Sequence, residues 1–354
     1  MRVRFAGELP PPRERYWRGP VLHDFDGQAW HRRRGGAGDE QALDYRGRAY
    51  RYTLTLEPNA HGTVPALERV QPPDTPEVQY TRDMQLLARR PVSVSQAYEL
   101  TSFPQARTRE APGPIERYID LDLPHGLDPR ARALAARLRA AAPDDAAYAA
   151  SVLDFLRSGG FEYTLDPQRL GRDAVDELLF TTHQGFCGHY ASAYAFLMRA
   201  GGVPARVVTG YQGGEWNPIG QYLVVRQSDA HAWTEAWLEG RGWTRIDPTA
   251  VVSPGRIERE LLQFGGGLDL RGTGLFGTRR WLAGLLQAWD AAGAWWQDDV
   301  VGFNFARQLR LADRLGFGDR GWQTLTVALG TGMGVWLAWI AWSLRRAARA
   351  ASPD

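Results

Sequence analysis

Lysine is missing from all 354 residues, so the 42 basic side chains are arginines without exception. Whatever chemistry the chain performs, it supplies no lysine amine of its own. Cysteine occurs once, at Cys187, which rules out an internal disulfide. Net charge is also scarce. The 42 basic and 40 acidic residues leave +2, which points to no nucleic-acid partner. At 23% charged and 44% hydrophobic residues the composition is that of a globular protein, not a disordered one, and the length suffices for two domains. The amino terminus, MRVRFAGELPPP, lacks an apolar run behind its arginines and does not read as a secretory signal.

One long apolar run is present. Residues 324–343, TLTVALGTGMGVWLAWIAWS, carry no charge, and twenty helical residues reach across about 30 Å of hydrocarbon. Asp319 and Arg320 precede the run, and Arg345, Arg346 and Arg349 follow it. Trp336, Trp339 and Trp342 lie toward the arginine-rich end, as an interfacial belt does. These features predict a single C-terminal transmembrane helix over residues 324–344 with its far end in the cytoplasm. Residues 1–320 are then expected outside the inner membrane, in the periplasm. Nothing at the amino terminus would export them, so the expectation is that upstream membrane segments are missing from this sequence or that its start is misplaced. RVRFAG, from Arg2, reads as the middle of a strand and fits that expectation.

The pattern upstream of the run predicts an α+β protein. Residues 1–124 are β-rich: AYRYTLTLEP (49–58) alternates in part, and prolines 72, 73, 76 and 91 punctuate further short strands. Residues 125–255 mix both types. Asp128-Pro129 supplies a cap and an N1 proline for a helix running to about Ala142, and Pro143-Asp144 opens another that stops at Ser158-Gly159-Gly160. A helix beginning at Phe186-Cys187 ends at Gly201-Gly202. Four short stretches, 205–212, 221–227, 231–239 and 242–248, then predict an antiparallel meander packed beside the cysteine helix. Residues 256–320 form a helical juxtamembrane segment in this scheme.

A thiol at the first turn of a helix is placed where its chemistry changes. Its ordinary pKa near 8.5 falls when a helix dipole and an imidazolium favour the thiolate. His231 begins one strand and Asp247 closes the next, so a hairpin of that size sets them opposite each other. Taken singly, each residue has a bland explanation: an apolar-helix cysteine is usually core, a strand-end histidine is usually satisfied, and Asp-Pro-Thr is an ordinary turn. Taken together, Cys187, His231 and Asp247 have the composition of a nucleophile, a base and an orienting carboxylate. Cys187 with His189 is too sparse for zinc, no calcium loop is visible, and no cofactor or metal is implied. His183 and His189 are expected to face solvent, and Trp233 and Trp237 to shield the site or fill core.

Two stretches, GFCGHYASAYAFLMRAGGVPARVVTGY (185–211) and SDAHAWTEAWLEGRGWTRIDPT (228–249), resemble the transglutaminase-like superfamily, relatives of papain-type enzymes. Within that superfamily the likeness is to the bacterial membrane-bound TgpA type, in which YWRGPVLHDFDGQAWHR (16–32) resembles the stretch before the core. The resemblance implies a papain/transglutaminase-like core, with a cysteine-bearing helix on an antiparallel sheet. It places the nucleophile on Cys187, the base on His231 and the orienting carboxylate on Asp247. The implied reaction is acyl transfer from a protein or peptide glutamine side chain, through a thioester, to an amine or water. A peptidase or amidase with the same three residues is an alternative, as is a non-catalytic binding module. Binding alone would need none of the three. Members of the type usually carry several membrane helices before this region and a soluble domain after the last span. Neither falls within residues 1–354, and a truncated start is expected.

Overall fold

A computed structural model describes residues 1–33, 41–59, 62–109 and 111–253, together with the isolated positions 331, 333 and 339. Ten strands position the site: β1 (Arg2–Phe5), β2 (Tyr16–Leu22), β3 (Tyr50–Leu56), β4 (Ala66–Leu67), β5 (Gln96–Ser102), β6 (Ala205–Gln212), β7 (Glu215–Asn217), β8 (Tyr222–Val224), β9 (Ala230–Leu238) and β10 (Gly242–Ile246). They build two five-stranded sheets, ordered β5-β3-β1-β8-β7 and β10-β9-β6-β2-β4. Every pairing within them is antiparallel. Residues 1–253 lie within one compact unit.

The four-strand meander expected after the cysteine helix does not form. β8 leaves for the other sheet, where Val3 lies opposite Leu223. β6 pairs directly with β9 on one side and with β2 on the other. The cause is local. The first four residues of β6, Ala205 to Val208, are all buried and take a partner on each edge. Gly213 and Gly214, at φ of 81° and 114°, then turn the chain out of the sheet. Each sheet therefore draws strands from both 1–124 and 125–255.

Four helices complete the frame: α1 (Pro129–Ala141), α2 (Asp145–Ser158), α3 (Ala174–Glu177) and α4 (Cys187–Ala200). Asp128 precedes Pro129 as expected but does not cap α1. It sits at φ 53°, and its carboxylate accepts the N–H groups of Val175 and Asp176 at 2.9 and 3.0 Å. Asp176 returns the arrangement by accepting from Arg130 and Ala131 at 3.0 and 2.6 Å. The two helix starts thus cap each other, at about 1 kcal/mol per cap. Alanines 191, 193 and 195 let α4 approach the sheet closely, and the Thr234 hydroxyl donates to the Ala191 carbonyl at 2.9 Å. Tyr148, Val152, Phe196, Val207 and Ala236 belong to the core between helices and sheet. A second core joins Trp17 and Leu67 of one sheet to Val3, Leu54 and Leu223 of the other.

The expected juxtamembrane segment and, apart from three positions, the expected span over residues 324–344 fall outside the described residues. Among the described residues no helix is long and apolar enough to cross a membrane.

Where β2 meets β6 the register shifts between Val208 and Gly210. A Cβ on Gly210 would stand 2.0 Å from the Trp17 carbonyl oxygen, so only glycine permits this approach of two backbones. Gly210→Ala should cost about 3 kcal/mol, the upper end of overpacking penalties. A thermal melt checks this, and an unchanged Tm would contradict it.

Candidate active site

Alternation along β9 puts His231, Trp233 and Glu235 on one face of the strand. The β9–β10 ladder runs from Leu238↔Gly242 to Thr234↔Ile246. Continued one step, that register sets Asp247 beside Trp233. His231 is thus a diagonal neighbour on the same face and not the opposite residue that the hairpin count predicts. The side chains still meet, because diagonal same-face pairs are within reach: His231 Nε2 donates to Asp247 Oδ2 at 2.8 Å.

Asp247 takes two further donors. Thr249 N–H reaches Oδ1 at 3.0 Å, and the Tyr16 hydroxyl reaches Oδ2 at 2.7 Å from β2, 231 residues away. Burial opposes ionisation of this carboxylate. The charge of His231 and the hydrogen bonds from His231, Tyr16 and Thr249 outweigh burial and hold its pKa below the usual range. The reverse holds for the imidazole, which is 3% exposed. Burial alone would expel its proton, but the Asp247 carboxylate, by charge and hydrogen bond, and then Cys187 raise it to about 9. His231 is therefore an imidazolium at neutral pH. Its Nδ1 is buried and engages no nitrogen or oxygen partner among the described residues. Cys187 also interacts with the ring and helps it retain the proton.

Cys187 is the first residue of α4 and is 9% exposed. Phe186 before it is extended, and its own side chain does not cap the helix by hydrogen bond. The first turn thus keeps its positive end toward the thiol, where dipole and imidazolium both favour the thiolate. His189 does not simply face solvent. Its Nδ1 accepts the Phe186 N–H at 3.3 Å and its ring meets the Phe186 edge at 4.2 Å, while burial lowers its proton affinity and suits it to accept. His183 is likewise engaged. It adopts φ 52°, and its carbonyl accepts the Glu162 N–H at 2.8 Å, closing the chain just before the site.

Cys187 and His231 line a cleft of about 1290 Å³. Leu56 and Pro65 bound it on the amino-terminal side, Tyr163 and Phe186 on the helical side. Trp233, which is fully buried, lies near-parallel to the His231 ring at 6.3 Å and edge-on to Tyr16 at 5.3 Å, so it shields the pair from water. Trp237 packs against Trp243 instead. Two residues beyond Trp233 on β9, buried Glu235 is held by Arg18 at 2.5 and 2.9 Å and by Arg206 at 3.0 Å, with Arg69 at 3.8 Å. Burial opposes its charge, but the three arginines win and push its pKa well below the carboxylate range. Sequence reasoning gave no role to Tyr16, Arg18 or Gln212: the first two lie in the stretch 16–32, whose family likeness names no partner, and Gln212 closes the stretch 205–212.

Residues 1–109 match the TgpA N-terminal domain, and residues 132–248 match the transglutaminase-like superfamily core. A Pseudomonas aeruginosa protein named protein-glutamine gamma-glutamyltransferase is 41% identical over 319 residues, which is 87% of this chain and 47% of that protein. The uncharacterized YebA of Bacillus subtilis is 34% identical over 141 residues, 38% of this chain and 19% of its own length. The chain thus spans less than half the length of these relatives. The crystal structure of the periplasmic domain of TgpA from Pseudomonas aeruginosa superposes with a TM-score of 0.71 at 43% identity, covering 74% of this chain and 91% of that one. Its ethylmercury-bound form gives 0.69, with 73% and 91% covered.

The electrostatics of the pair make a direct prediction. An NMR titration of the His231 ring should show a midpoint near 9, and Asp247→Asn should lower it, because burial is then opposed only by Cys187. A midpoint unmoved by that substitution would contradict the assignment of Asp247 as the group that holds the proton.

Proposed function

From the premise that the chain belongs to the transglutaminase-like superfamily, in its TgpA type, we propose that it is a cysteine acyltransferase acting on glutamine side chains of proteins or peptides. The observation that carries this reading is the cleft-lining Cys187 at a helix start, beside an imidazole that Asp247 keeps protonated.

In this mechanism the Cys187 thiolate attacks the carboxamide carbon and a carbon–sulfur bond forms. The oxygen takes the negative charge, facing the first-turn N–H groups of α4. His231 then passes its proton from Nδ1 to the amide nitrogen, the carbon–nitrogen bond breaks, and ammonia leaves a thioester. Neutral His231 next takes a proton from the incoming amine or water, which displaces the sulfur as thiolate. An amine yields a cross-link, water a glutamate. Asp247 holds the ring in place throughout and stabilises its charged form.

The same reading sets the catalytic unit outside the cytoplasmic membrane, anchored by residues 324–344. Its support is the uncharged run in the sequence and the periplasmic origin of the superposed Pseudomonas domain.

The test uses the full chain in detergent with a glutamine-rich protein and a fluorescent primary amine, following ammonia in parallel. Cys187→Ala should lose amine incorporation by roughly 10³-fold or more. Wild-type activity should fall as pH rises through about 9, where His231 loses the proton that ammonia must receive. Ammonia without incorporation would show water as the acceptor, and backbone cleavage would favour a peptidase. Equal behaviour of wild type and Cys187→Ala on every substrate would overturn an acyl-enzyme mechanism.

A further inference from the structure

We propose that Tyr16, from the amino-terminal segment, is a positioning residue for this site: its hydroxyl fixes the Asp247 carboxylate that orients His231. The inference rests on the acyl-transfer reading and adds to it a residue outside the cysteine–histidine–aspartate set.

Both Tyr16 Oη and His231 Nε2 bond to the same oxygen, Asp247 Oδ2, at 2.7 and 2.8 Å. The direction of the tyrosine bond is fixed from behind. Gln212 Nε2 donates to Tyr16 Oη at 2.9 Å, which occupies the accepting side of the hydroxyl and leaves its hydrogen for Asp247. The ring is 4% exposed and enclosed by neighbours. Trp233 lies edge-on at 5.3 Å, His231 is tilted at 6.1 Å, and the Arg245 guanidinium covers the ring at 3.6 Å. Arg245 is itself tied to Glu68 at 3.1 Å. Four strands of one sheet, β2, β6, β9 and β10, therefore set where this hydroxyl stands. A buried tyrosine hydroxyl needs some acceptor for stability alone. Here the acceptor is the oxygen that also holds the imidazole, so loss of the hydroxyl frees the carboxylate to turn away from Nε2.

The charged and titratable groups around the cluster are few. Cys187 and Asp247 face His231, and Arg245, Glu68 and Asp247 face Tyr16. Burial and the Asp247 charge raise the pKa of Tyr16 far above its ordinary value, so it remains a donor throughout the working range.

Tyr16→Phe in the full chain tests the proposal with two readouts. Alkylation of Cys187, the sole thiol, is followed against pH, and amine incorporation gives kcat and KM. With the melting temperature close to wild type, kcat should fall about tenfold while KM holds. The alkylation midpoint should move upward by about half a pH unit or more, because a loosened imidazolium supports the thiolate less. In an Asp247→Asn background the same substitution should add no further loss, since its effect passes through that carboxylate. A wild-type pH profile and kcat in Tyr16→Phe, or a full additive loss in the Asp247→Asn background, overturns the proposal while leaving acyl transfer intact. A wild-type thiol that is inert at neutral pH, in a protein that incorporates no amine, overturns the acyl-transfer reading itself and Tyr16's role with it. If Tyr16→Phe does not fold, the wild-type protein still decides. A nuclear Overhauser contact between the Tyr16 hydroxyl and His231 Nε2 protons supports the shared oxygen, and its absence at neutral pH refutes it.

Discussion

The arrangement depends on one buried charge, the Asp247 carboxylate. It accepts from His231, Tyr16 and the backbone of Thr249, and these donors come from separate parts of the chain. A carboxylate with its side chain 7% exposed would ordinarily take up a proton. These donors prevent that, and the retained charge holds a proton on His231. The imidazolium, in turn, favours the thiolate of the cysteine at the head of α4, as the proposed acyl transfer requires. Each step is an electrostatic consequence of the one before.

Strand β9 is where site and scaffold share a backbone. Near its start, buried His231 lines the cleft, while Glu235, two side chains along the same face, sits among Arg18, Arg69 and Arg206. Buried ion pairs of this kind gain little net stability against an apolar substitute, but breaking one is costly. Their effect here is to lock β9 to β2 and β6, with Trp233 packed between the two charged clusters. The amino-terminal segment is thus part of the site's support. Through Arg18 it holds the strand, and through Tyr16 it touches the carboxylate.

Much of the centre was legible in the sequence because its signals are local. Gly185 to Cys187 and Gly201-Gly202 bracket α4, and His231 and Asp247 share a face in both the expected and the observed β9–β10 register, which differ by two residues. The hairpin count erred by one diagonal step, since the ladder stops at Thr234↔Ile246, yet face parity survived that error. Long-range pairings were not legible. No periodicity tells β6 that its second neighbour is β2, nor sends β8 to pair with β1. The exchanged caps of Asp128 and Asp176 were hidden for the same reason: a cap signal marks a helix start but not whose N–H groups it serves. Tyr16 and Gln212 become functional candidates only once two strands nearly two hundred residues apart are adjacent.

The central claim is that the charge held at Asp247 makes Cys187 the site of acyl attachment. It is tested most directly by acid-quenching the full chain during reaction with a glutamine peptide and measuring the mass of the fragment bearing Cys187. The account predicts an adduct equal to the peptide less one ammonia, carried on Cys187 and missing from His231→Ala. An adduct on any other residue, or one formed equally without His231, would contradict it.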